Sequence, residues 1–158
     1  MWPEPVQRVS AALKAAAVDA RIEEFSAGTP TAEAAARAVG AELDQIVKSL
    51  VFVADGAYVL ALVPGDRRAD AAKVAAAVGA RDARVARASE VVHATGFAPG
   101  AVAPFPKGAV AHVLIDPTLL QHELVWVGAG SPSHMAAVEP EDLQRLARAR
   151  SVDLVEAG

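Results

Sequence analysis

The sequence predicts an α/β fold in which a mixed, mainly antiparallel sheet is surrounded by helices. Three observations lead there. Two apolar runs, VKSLVFV and YVLALV, are joined by Ala54-Asp55-Gly56-Ala57, and Asp-Gly between such runs is a strong hairpin signal. Both runs are apolar on both faces, which places the hairpin inside a sheet covered on two sides. Helical and extended segments alternate without a regular βαβ rhythm, so a purely parallel sheet does not fit.

The elements follow in order. Pro3 and Pro5 open a first helix with Val6, Val9, Leu13 and Ala17 on one face. A short extended piece spans Ile22 to Phe25. Thr31 is placed to cap a second helix that stops at Gly40, with Glu33 and Arg37 four residues apart. After the hairpin and Pro64-Gly65, a third helix carries Ala71, Val74, Ala75 and Val78 on one stripe and ends at Gly79. Ser89 is expected to cap a fourth helix that ends at Gly96. Residues 96–108 form a loop rich in glycine and proline. Two strands, AHVLID and ELVWV, are separated by Asp116-Pro117 and a short turn or helical piece. The loop GAGSPSH then leads into a strand MAAV. Glu139-Pro140-Glu141 opens a last helix, whose acidic first turn suits the helix dipole. A final strand is expected over VDLV. Neither a repeat nor a long linker divides the 158 residues, so they are expected to form one domain, 1–158.

Composition removes several functions. Hydrophobic residues make up 53% and charged residues 22% of the chain, a globular balance. Cysteine is absent, which excludes thiolate nucleophiles, disulfides and cysteine zinc sites and is compatible with a reducing cytoplasm. No apolar run reaches the roughly 20 residues of a membrane span, and the N-terminus lacks the layout of a secretory signal. These features predict a soluble, cytoplasmic protein. A net charge of -4 argues against a stand-alone nucleic-acid binder. Local basic spots remain at Arg67 with Arg68, and at Arg81, Arg84 and Arg87.

Lys48 is the most informative single residue. It heads a strand that otherwise reads as buried, and an ammonium is costly to bury without partners. It therefore either opens onto solvent or faces something negative in a cleft. Strand alternation puts it on one face with Leu50 and Phe52. The loop Gly100-Ala101-Val102-Ala103-Pro104 is either a stiff turn or a frame presenting fixed N–H groups to an anion or carbonyl. The second loop begins Gly128-Ala129-Gly130-Ser131-Pro132-Ser133. It fails as a dinucleotide fingerprint because Ser133 replaces the third glycine, Pro132 interrupts the turn and no helix follows. Ser131, Ser133 and His134 lack the G-x-S-x-G elbow of serine hydrolases. His93, His112 and His122 have no metal-ligand spacing, so no metal or cofactor is expected.

Taken in order, a Thr-capped helix, a QIVKSLVF strand holding one lysine, a GFAPGAVAPF loop, and a GAGSPSH loop before a PEDLQRL helix resemble the YbaK/ProX family. Its members are free-standing aminoacyl-tRNA deacylases related to the editing domain inserted in bacterial prolyl-tRNA synthetases. The resemblance spans about residues 5 to 155. It implies a mixed-sheet fold around a small pocket and hydrolysis of the ester joining a wrong amino acid to the terminal adenosine of a tRNA. Lys48 matches the family lysine, Gly100 through Pro104 its G-x-x-x-P loop, and His134 a position where several members carry histidine. The resemblance thereby implies catalytic roles for Lys48, Gly100 and His134. Leu50, Phe52, Phe97 and Val102 are then candidates for the pocket wall, Thr29 or Thr31 for its mouth, and Ala101, Pro104, Gly128, Gly130 and Ser131 for the two loops against substrate. The implied partners are the acceptor end of an aminoacyl-tRNA and prolyl-tRNA synthetase, with no membrane; the oligomeric state stays open. A binding module for aminoacyl-tRNA or a synthetase is the alternative, and a small-molecule hydrolase or nucleotide binder a third.

Overall fold

A computed structural model describes residues 2–25, 31–106 and 108–157. Helix α1, Glu4–Ala15, starts behind Pro3 and buries Val6, Val9 and Leu13. Ala17, expected on the same stripe, lies beyond the helix with φ +56° because the chain turns there toward β1, Ile22–Glu24. Helix α2, Ala32–Val39, has the expected cap: the Thr31 hydroxyl accepts from the Ala34 N–H at 3.0 Å, and Gly40 closes it in a left-handed conformation. Strands β2, Val47–Ala54, and β3, Ala57–Pro64, form the hairpin. Asp55 and Gly56 both have positive φ, as the two-residue turn with strand-matching twist requires.

Helix α3, Ala71–Ala77, is capped by the Asp70 carboxylate. The stretch read only as a basic spot contains strand β4, Ala83–Val85. Three residues with an arginine in the middle give too little alternation to announce a strand. Helix α4, Ala88–Thr95, begins one residue before Ser89, which lies inside it; the Arg87 N–H at its start is taken by the Glu90 carboxylate at 2.8 Å. Strands β5, His112–Ile115, β6, Val125–Gly128, and β7, His134–Val138, and helix α5, Pro140–Ala147, fall where expected. The last strand does not. β8 is Arg150–Ser151, and the VDLV stretch beyond it is held by single contacts, among them Leu154 N–H to the buried Asp116 carboxylate at 2.9 Å.

The described strands make two sheets, ordered β4-β2-β3-β5-β8 and β1-β7-β6. β3 with β5 and β5 with β8 run parallel; the other pairs are antiparallel. The fold is thus mixed α/β with a mainly antiparallel sheet. The hairpin is covered on both faces. Val47, Val51, Leu60 and Leu62 join the larger core with α1, α5 and the second sheet, while Phe52, Val59, Ala61 and Val63 pack toward Val74 of α3 and Leu154.

One detail of β2 positions everything that follows. β4 pairs only with Phe52–Ala54, and the Ala86 N–H takes the Val51 carbonyl at 2.9 Å. The turn-closing pair Ala54 and Ala57 fixes the alternation, so the N–H and C=O of Val47, Ser49 and Val51 point away from β3. Beyond Val51, toward Val47, β4 no longer covers that edge.

Candidate active site

A cavity of about 380 Å³ opens beside this uncovered stretch of β2. Its volume lies within the range of small-ligand pockets. Five places in the chain build it: the start of α2, residues 46–50, the Gly100 loop, the end of β6, and the stretch from Ser131 into the start of β7.

Lys48, Gly100 and His134 all line the cavity. So do Thr31, Leu50, Val102, Gly128 and Ser131. Phe52 does not: it is 2% exposed, because α3 and β4 close over its end of the strand although alternation puts it on the face of Lys48. Phe97 is likewise core, under the Arg8 guanidinium, whose carbon lies 4.8 Å from the ring centroid. Ala101 and Pro104 are buried in the packed part of their loop and take no place in the lining. Gly130 faces α1; a Cβ there would stand 2.8 Å from the backbone of Pro5. Thr29 lies outside the described residues.

Lys48 is not fully solvated, and among the described residues it forms no ion pair with a carboxylate. Its ammonium donates to the Arg67 carbonyl. Burial pushes its pKa below the usual lysine value, and the Arg68 charge acts in the same direction; Glu33 and Asp66 pull it back up. The group is a partly desolvated cation at the rim of an apolar wall, and its charge there is screened less than in water.

The Gly100 loop divides its donors. The Ala101 N–H is used inside the turn, on the Ala98 carbonyl at 3.0 Å. The N–H groups of Gly100 and Val102 are taken by no main-chain carbonyl among the described residues. The loop lies against β6 so closely that a Cβ on Gly128 would come 2.6 Å from the Val102 carbonyl oxygen. Glycine at 128 is therefore a condition for the loop's position.

His134 is 2% exposed. Its Nδ1 lies 2.5 Å from the Ser131 hydroxyl, its Nε2 3.6 Å from the Glu24 carboxylate, and the Trp2 ring meets it edge-on at 5.5 Å between centroids. Among the described residues Nε2 is buried without a hydrogen bond.

The sequence reading missed Ser49, Met135 and Glu24. Ser49 lines the cavity with a buried hydroxyl that has no hydrogen-bond partner among the described residues. Alternation offered a signal for it, as the one polar residue among Val47, Val51 and Val53 on that face. Nothing local marked Glu24, which reaches His134 through the pairing of β1 with β7. Among the described residues no three potential metal ligands cluster, and no helix is long and apolar enough to cross a membrane.

With this geometry in place, comparison with known proteins decides the family. The sequence model of the aminoacyl-tRNA editing domain matches residues 26–146. The chain belongs to the aminoacyl-tRNA editing domain family. The Bacillus subtilis (strain 168) protein YwhH is 32% identical over 123 residues, covering 77% of this chain and 78% of YwhH. Proline--tRNA ligase of Nitratidesulfovibrio vulgaris (strain DP4) is 35% identical over 100 residues, 63% of this chain but only 17% of the ligase. The chain is thus similar to a segment of the ligase. A crystal structure of a candidate trans-editing enzyme for prolyl tRNA synthetase superposes with a TM-score of 0.92 at 37% identity, over 99% of this chain and 100% of that one. The matched residues include Lys48, both glycine loops and His134.

Proposed function

We propose that this chain is a free-standing editing hydrolase that removes a wrong amino acid from an aminoacyl-tRNA, acting as one domain in the cytoplasm. The leading substrates are tRNA(Pro) esters of a small noncognate residue: Ala, Cys, Ser or Thr. One observation carries the reading. A small cavity in an editing-domain fold brings a partly desolvated lysine, a loop whose Gly100 and Val102 N–H groups meet no main-chain carbonyl among the described residues, and a buried histidine around one space.

Ester hydrolysis places negative charge on the carbonyl oxygen, and fixed donors in a water-poor site stabilise that charge. The Gly100 and Val102 N–H groups are suited to this task. Lys48 supplies a point cation for the same oxygen or for the terminal phosphate of the tRNA. Water is the attacking group, with His134 as the base in reach of the cavity. Leu50 and Val102 give the amino-acid side chain an apolar wall, and size sets the selection. The nucleic acid approaches a chain of net charge -4, so contact falls to local cations such as Lys48 and Arg68, whose charges act on each other. Prolyl-tRNA synthetase is the partner that would deliver the substrate.

The test is deacylation of tRNAs charged with Ala, Cys, Ser, Thr or Pro. Acceleration of at least one noncognate ester over buffer is expected. Binding without turnover, even with the synthetase present, would instead make the chain a recognition module.

A further inference from the structure

The polar contacts around His134 point to a proton path separate from the lysine and the Gly100 loop. The Ser131 hydroxyl oxygen accepts the Ser133 N–H at 3.1 Å. The same hydroxyl lies 2.5 Å from His134 Nδ1 and 3.3 Å from the Ser133 hydroxyl, and the tautomer of the ring sets which partner donates. In the tautomer that lets the Ser131 hydroxyl donate to Nδ1, the imidazole proton sits on Nε2, the side facing the Glu24 carboxylate at 3.6 Å. Ser131 and His134 both line the cavity, whereas Glu24 does not. Trp2 covers the ring from the α1 side. Among the described residues the groups facing the imidazole are Glu24 from β1, Ser131 from the preceding loop and the uncharged Trp2, with Lys48 elsewhere on the cavity wall.

From this arrangement we infer that Ser131 relays the proton of the attacking water to His134, and that Glu24 is a positioning residue that favours the resulting imidazolium. The inference rests on the editing reading for its substrate. Water bonds to the ester carbonyl carbon as one of its protons passes to the Ser131 oxygen, while the Ser131 proton passes to His134 Nδ1. The bond from that carbon to the ribose oxygen then breaks, and the proton returns from Nδ1 through Ser131 to the ribose oxygen. The products are the free amino acid and the ribose hydroxyl. His134 Nε2 keeps its proton throughout, and the Glu24 charge stabilises the doubly protonated ring between the two transfers.

Single-turnover deacylation and NMR titration of the His134 ring test this together. Ser131→Ala is expected to slow the chemical step about 100-fold, within the range for a proton-transfer group, with substrate affinity nearly unchanged. Ser131→Thr, which keeps the hydroxyl, should restore most of the rate. Because Ser131 also holds its own turn, Glu24→Gln is the variant that leaves the turn intact. It should lower the midpoint of the pH–rate profile by about half a pH unit or more, since removing a nearby negative charge disfavours the imidazolium. Full activity in a folded Ser131→Ala protein, or a covalent acyl-serine trapped in the wild type, overturns the relay. The NMR arm needs no substrate: the His134 midpoint, assigned with His134→Asn, must fall in Glu24→Gln, and an unmoved midpoint overturns the Glu24 role. A wild type that hydrolyses no ester contradicts the editing reading itself, and the NMR arm still decides the Glu24 link.

Discussion

The two ends of strand β2 share a sequence style and differ in fate. At Phe52–Ala54, β4 completes the edge and α3 covers one face, so Phe52 and Ala54 vanish into the core. At Val47–Leu50, β4 no longer reaches the edge, and the same alternating apolar pattern borders a cavity and carries Lys48. The cavity sits where β4 stops pairing with β2, and the hydrophobic pattern alone does not reveal where that is.

Substitutions at the two ends should separate stability from activity. The largest expected effect is on the closed end. Phe52→Ala should destabilise the fold by about 3–5 kcal/mol through lost burial and a residual cavity, measured by urea denaturation. At the open end, Lys48→Met should cost about 100-fold in kcat/KM for deacylation, about 2.7 kcal/mol in the transition state, without a comparable loss of stability. Its pH dependence has a definite sign. The folded pKa of Lys48 lies below its ordinary value of 10.5, so the folded protein binds the proton less well than the unfolded chain. The penalty is complete below the folded pKa and is relieved as pH rises through it toward 10.5. Wild type should therefore gain stability relative to Lys48→Met over that rise, as paired denaturation curves would show.

Gly128→Ala tests how the open end is framed. An added methyl 2.6 Å from the Val102 carbonyl must displace the Gly100 loop, at a cost of about 1–3 kcal/mol and with a matching rise in KM. The smallest effect belongs to the surface beside β4, where the Arg84 side chain and the Arg87 N–H hold the Glu90 pKa down at about 2. A depressed carboxylate contributes stability above its ordinary value of 4.5, and that contribution is lost as pH falls toward 2. The stability gap between wild type and Glu90→Gln should accordingly close over that range in acid denaturation.

Features governed by local chemistry were legible in the sequence. The Thr31 cap, the Asp55-Gly56 turn and the proline-opened α5 each depend on neighbours within a few residues, and each stands as expected. Lys48 was legible for the opposite reason, as a charge in conflict with its surroundings. Features that depend on pairing were not. The cover over Phe52 comes from β4 and α3, whose docking no short pattern states. Gly130 was read with its loop, yet its closeness to Pro5 depends on where α1 lies. Glu24 meets His134 only because β1 pairs with β7 in a given register.

The most direct test of the editing proposal compares hydrolysis of Ala-tRNA(Pro) and Pro-tRNA(Pro) by the wild-type protein and by folded Lys48→Met. The account predicts preferential loss of the alanyl ester with wild type and nearly none of that acceleration with the variant. Equal rates for the two proteins, both above buffer, would contradict it by showing that hydrolysis does not depend on the cation at the open end of β2.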